Sequence, residues 1–154
     1  MRRIFIAIAL VCFGAATATA QTKFSATLQC GQPDAQHAIP VGDIPDHSLA
    51  LQQIKCTYTK TMEIEGAKAV ATVVTITYEF TGDAVRAQGC QVITMDSGDK
   101  VFARHQGTGT FGQDEDGTWT FTGGTGKLKG IKGKGTYSCS SAGCDITGEY
   151  QLAK

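Results

Sequence analysis

Few side chains in this sequence could do chemistry, and the cysteines come first. Cys12 lies near the start, and Cys30, Cys56, Cys90, Cys139 and Cys144 lie further on. None has Cys-x-x-Cys spacing and no pair of histidines accompanies them, so neither a metal centre nor any cofactor is expected. Cys139 and Cys144 bracket Ser140-Ser141-Ala142-Gly143, a turn-like tetrapeptide that sets them face to face in a tight hairpin, within reach of a disulfide. Cys56 and Cys90 each sit in strand-like sequence and form the second candidate pair, which leaves Cys30 over.

Charged groups inside strand-like sequence are Glu79, Arg104, His105 and Glu149. Around residue 104, Val101, Ala103 and His105 share one face of a strand and Phe102, Arg104 and Gln106 the other. The expectation is that Arg104 faces an interior with Phe102 and Gln106 and pairs there with Glu149, because an unpaired buried charge is costly. With Tyr78 and Trp119, these make six candidates to contact a ligand. No catalytic residue is nominated: His105 has no Ser or Cys at a triad spacing, and Gly-x-Ser-x-Gly is absent. Gly123-Gly124-Thr125-Gly126-Lys127 imitates a phosphate loop, but Leu128 stands where that motif needs Ser or Thr and no helical pattern follows. The neighbouring Lys127, Lys129, Lys132 and Lys134, and the acidic Asp114-Glu115-Asp116, read as solvated turns of opposite sign.

The elements that carry these residues are strands. Val70, Thr72, Val74, Ile76, Tyr78 and Phe80 alternate on one face, the better core candidate, against Ala71, Val73, Thr75, Thr77 and Glu79 on the other. Further strands are expected over 49–58, 85–95, 100–111, 117–122, 134–139 and 146–152, with an eighth at 23–29 or within 127–131. Gly, Asp and Ser clusters separate them, and no window sustains a helical period. Short connections between about eight strands predict an all-β fold, a single small antiparallel β-barrel with almost no helix, closed so that no edge is left exposed. Ten glycines between 107 and 135 predict bends, bulges and close strand approach. All three prolines lie between 33 and 45, so residues 21–48 read as a short strand and an irregular arm before a barrel body at 49–154.

Residues 1–20 have the pattern of a secretory signal peptide: a charged Met1-Arg2-Arg3, an apolar run from Ile4 to Ala16, and Ala18-Thr19-Ala20 before the cleavage point. The apolar run is too short to span a bilayer, which predicts an exported protein, periplasmic or extracellular, with no stable membrane insertion. Without Arg2 and Arg3, 12 basic residues face 14 acidic ones, a net charge of −2 that argues against nucleic acid as a partner.

Several segments carry a family resemblance: Asp46-His47-Ser48-Leu49, Cys56-Thr57-Tyr58, Gly98-Asp99-Lys100, Gly117-Thr118-Trp119, the glycine-lysine run from Gly123 to Gly130, Gly133-Lys134-Gly135-Thr136-Tyr137 and Gly148-Glu149-Tyr150. Across residues 46–150 the chain resembles small exported bacterial proteins of unassigned function with an allene-oxide-cyclase-like β-barrel. The Gly-Gly-Thr-Gly-Lys segment is also similar to one in plant allene oxide cyclases and dirigent proteins. The resemblance implies a calycin-like barrel with an apolar lumen. It implies a catalytic asparagine as well, but this chain contains no Asn, so no catalytic position transfers. The expected function is therefore a non-catalytic exported barrel that binds a small apolar ligand. The alternatives are a structural or interaction protein with a packed lumen, including a homodimer joined through the odd cysteine, and a cofactor-free isomerase.

Overall fold

The computed structural model describes residues 21–152; the expected signal peptide at 1–20 lies outside them. Ten strands follow in order: β1 (Thr22–Cys30), β2 (Ala35–Pro40), β3 (His47–Lys60), β4 (Glu63–Ile64), β5 (Ala67–Thr81), β6 (Ala84–Met95), β7 (Lys100–Thr110), β8 (Glu115–Gly124), β9 (Lys132–Ser140) and β10 (Gly143–Gln151). A single 3₁₀ turn, Gly126–Leu128, separates β8 from β9.

Consecutive strands from β5 to β10 pair antiparallel, β10 pairs with β1, β1 with β3, and β3 with β5, which closes an eight-stranded barrel. The two extra strands are β2, on the outer edge of β3, and β4, a two-residue stub beside β5. Stepping between register partners from Ser48 passes Phe80, Val85, Gly109, Glu115, Cys139, Cys144 and Leu28, and returns to β3 at Tyr58. That stagger of ten residues exceeds the eight of a TIM-type barrel with the same number of strands, so these strands tilt further around a wider bore.

The alternation in β5 turns Thr72 and Ile76 inward as the sequence pattern predicts, but Val70 is 50 % exposed while Ala69 is buried. The register with β6 shifts between Ala69 and Ala71, and this bulge moves Val70 to the outer face.

The glycines of β6 to β10 mostly do something other than bend strands. A Cβ on Gly135 would fall 2.0 Å from the Thr147 carbonyl oxygen and 2.6 Å from the Trp119 ring; one on Gly148 would fall 2.3 Å from the same ring. Gly107 and Gly117 stand in the same relation to Tyr137, and Gly133 to Phe121. All of these glycines face inward, so large rings lie flat on bare backbone. Gly126 serves the GGTGK segment differently: with φ +50° it wraps the Asp99 carboxylate, which accepts from Lys127 N at 3.3 Å and Thr125 Oγ1 at 3.4 Å. The turn's polar groups thus serve the protein's own carboxylate.

One end of the barrel is closed by Met62, Ile64, Met95, Val101, Leu128 and Ile131, each no more than 3 % exposed. Disulfides sit toward the opposite end. Cys139 and Cys144 are register partners on β9 and β10 and are bonded. Cys56 bonds Cys30, its register partner on β1, and not Cys90. The expected Cys56–Cys90 pair is ruled out by facing: Cys56 is 1 % exposed and points inward, whereas Cys90 is an exposed free thiol.

Two measurements check these features. Trypsin without reductant should release a fragment joining residues 24–55 to 56–60, and none joining 56–60 to 87–100. Gly135→Ala should lower stability by about 2 kcal/mol or more through overpacking, whereas Gly123→Ala, whose new methyl would meet nothing closer than 4.0 Å, should move the denaturation midpoint little.

Candidate functional site

The closed end, the two disulfides and the rings on glycine leave a cavity of about 200 Å³ in the lumen. Its floor is aromatic: Trp119 and Phe121 lie 4.6 Å apart between ring centroids, and Phe24 lies 5.4 Å from Trp119. Ile76, Ile93 and Ala103 add aliphatic wall, and all four bonded cysteines line it too. Trp119 donates its indole N–H to the Thr136 carbonyl at 3.2 Å, which fixes the ring while satisfying its polar atom.

Polar groups are few and lie in two places. Tyr58 Oη and Thr72 Oγ1 share a hydrogen bond of 2.7 Å, and burial pushes the Tyr58 phenol up to about 12. The second group comes from β5 to β9. Tyr137 donates its hydroxyl to Glu115 Oε1 at 2.6 Å, and its ring meets the His105 imidazole edge-on at 6.0 Å. Burial, then the bond to Glu115 and its negative charge, push the Tyr137 phenol far up. Tyr78 is raised to about 12 by burial and, secondarily, by the charge of Glu115. His105 Nδ1 lies 3.3 Å from the Gln91 amide nitrogen, and burial holds its pKa below the ordinary 6.5. The imidazole is accordingly neutral at pH 7. Among the described residues, the cavity lining contains no Lys or Arg.

Glu115, Tyr78 and Tyr137 stand near the turns at 81–84, 110–115 and 140–143, where strands end opposite the closed floor. Tyr78 stacks with Phe80 at 5.7 Å, and Phe80 meets Phe111 edge-on at 5.8 Å. Phe111 is 69 % exposed. These rings form an apolar approach from solvent to the mouth, beside a groove floored by Ala38, Pro40 and Ile44 from the β2–β3 region.

Of the six residues nominated from sequence, Tyr78 and Trp119 line the cavity. Phe102, Arg104 and Gln106 do not, because Val101, Ala103 and His105 take the inner face of β7. On that inner wall Ala103 stands opposite Phe121 and Gly107 lies under Tyr137, small residues that leave room for these rings from β8 and β9. Arg104 is exposed on the outer face beside Cys90 and Thr120. Glu149 also lies outside, with its carboxylate 4.0 Å from Lys134 Nζ on the neighbouring strand, and the expected internal Arg104–Glu149 pair does not form. Sequence reasoning missed Glu115, Tyr137, Gln91 and His105 as a group. A signal existed for Glu115: it shares strand parity with Trp119 and Phe121, so extending β8 by two residues turns it inward.

These features define a small closed antiparallel β-barrel with an apolar, one-ended lumen. No family model and no curated protein matches the chain. Among solved structures, it is similar in fold to a protein of unknown function from the DUF3224 family of Shewanella oneidensis, with 12 % sequence identity and a TM-score of 0.61. That match covers 88 % of this chain and 99 % of the other. At this identity the likeness bears on fold alone.

The buried histidine makes a pH prediction. A base with a depressed folded-state pKa takes up protons more readily when unfolded, so His105 should erode stability as pH falls below about 6.5 toward its folded pKa. His47 acts oppositely: its hydrogen bond to Asp43, aided by Glu79, raises its pKa, and its contribution fades as pH rises. The difference between wild type and His105→Gln isolates the first effect. Urea midpoints at pH 7.5 and 5 should fall more in wild type than in the variant; parallel falls would contradict a desolvated His105.

Proposed function

We propose that this protein is an exported, non-catalytic barrel that binds a small apolar ligand in its lumen, in keeping with its resemblance to exported bacterial proteins with an allene-oxide-cyclase-like barrel. The observation that carries the reading is the cavity of about 200 Å³ with its predominantly apolar lining. An engineered apolar cavity of about 150 Å³ suffices to bind benzene, so this lumen has room for a somewhat larger guest. The cavity weighs against the alternative of a lumen filled by side chains. Two disulfides among the described residues suit the oxidising compartment to which the leader pattern points, and no described helix is long and apolar enough to cross a membrane.

A second reading has one specific observation in its favour. The hydrogen bond from Tyr137 to Glu115, close to a neutral imidazole, is the kind of acid–base pair that an isomerase could use. It is decided by turnover of whatever the lumen retains.

Trp119 is the sole tryptophan of the chain and lines the cavity, so its emission reports occupancy. Titration with straight-chain alcohols should give saturable changes, with affinity rising roughly threefold to fourfold per added CH₂ until the cavity is full. Ala103→Leu, which fills part of the space, should weaken the longer alcohols most. Emission indifferent to every alcohol would remove the binding proposal.

A further inference from the structure

We infer that the lumen prefers guests carrying an alkylated ammonium head, seated at the mouth among Glu115, Tyr78 and Tyr137, with the apolar tail running toward Trp119. The inference rests on the binding function proposed above and adds the chemistry of the head group.

Three observations converge on it. Glu115 extends from the inner face of β8 as a carboxylate at the mouth of a cavity whose described lining includes no Lys or Arg. Its one hydrogen bond from a lumen side chain, that of Tyr137, comes from a neutral donor, and none of the ion pairs of the described residues involves Glu115. The cavity therefore carries a negative charge without an internal cation to balance it. The rings around it suit such a charge: Tyr78 and Tyr137 both sense the Glu115 field, and Tyr78 continues into Phe80. Aromatic faces attract cations, most strongly where water is excluded, and alkylated ammonium groups are the guests that aromatic cages take best. The remaining candidate cation, His105, is held neutral by burial.

An anionic head would meet the opposite conditions. It would approach a carboxylate at a mouth whose described cavity lining offers no Lys or Arg to compensate its charge. A hydroxyl head could donate to the free lone pairs of Glu115, but would gain nothing from the rings as a cation does.

The experiment compares octyltrimethylammonium, octanol and octanoate at concentrations below micelle formation, read through Trp119 emission on the full chain after leader removal. The ammonium should bind about tenfold more tightly than octanol and octanoate least. Its affinity should weaken as ionic strength rises from about 0.01 M to about 0.15 M, which shortens the screening length from about 30 Å to about 8 Å, while octanol should change little. Glu115→Gln keeps an acceptor for Tyr137 and should reduce ammonium affinity about tenfold while leaving octanol within about twofold. Octanol or octanoate binding as tightly as the ammonium overturns the head-group inference and leaves the lumen as a binding site. An unchanged ammonium affinity in a folded Glu115→Gln does the same; should that variant not fold, the salt series on the wild-type chain decides. No response to any of the three removes both the inference and the function it rests on.

Discussion

Trp119 lies against the wall formed by β9 and β10 because Gly135 and Gly148 put no side chain between its ring and the backbone. The same relation joins Phe121 to Gly133 and Tyr137 to Gly117 and Gly107. Each ring spreads sideways across its neighbouring strands instead of standing up into the bore. If those glycines bore side chains, ring and backbone could not both keep their places, and the ladder of β8, β9 and β10 would have to separate. Laid flat, the rings bury most of their area and still leave space at the centre. The cavity therefore follows from how the wall is surfaced: a bare strip for each large ring, and a bore widened by the ten-residue stagger.

The polar features of the lumen depend on that arrangement. Tyr137, extended over Gly117 and Gly107, brings its hydroxyl across to Glu115 at the start of β8. His105 lies close over Gly89, another inward glycine, and is desolvated there. The two disulfides pin the strands that carry no such ring-on-glycine contact at that level. Cys30–Cys56 stands where β1 meets β3 across four register pairs, the shortest ladder of the closed barrel, and Cys139–Cys144 holds the β9–β10 hairpin. The first of these links thus occupies a seam where hydrogen bonding alone is sparse, whereas the second reinforces a full ladder next to its turn.

Much of the fold is legible in the sequence because period-two alternation and short Gly, Asp and Ser turns act locally. Residues 70–80 show the strength and the limit of that signal: the strand is where alternation puts it, but one extra residue at the bulge reverses the facing of Val70. The interior was less legible for a related reason. In β7 both faces carry a plausible inward set, and choosing Phe102 over Val101 inverts every residue that follows. Volume decides the matter: Ala103 stands opposite Phe121 and Gly107 lies under Tyr137, a fact about neighbouring strands that β7 does not contain. The Cys139–Cys144 pair needed only a hairpin, whereas Cys30 meets Cys56 through closure between segments 26 residues apart.

That closure gives the chain an order in which it must become a barrel. β1, the first strand, has β10, the last, as one neighbour, with Thr22 beside Tyr150. The hairpins from β5 to β10 can zip one after another with little loop to close, but the first strand has no complete berth until the residues near 150 exist. The entropy of joining distant segments is thereby concentrated in one late event. Until then the growing sheet has two open edges and an uncovered apolar face. A chain stopped short of β10 lacks more than an eighth stave: it leaves β1 without its longest ladder and the lumen without a wall.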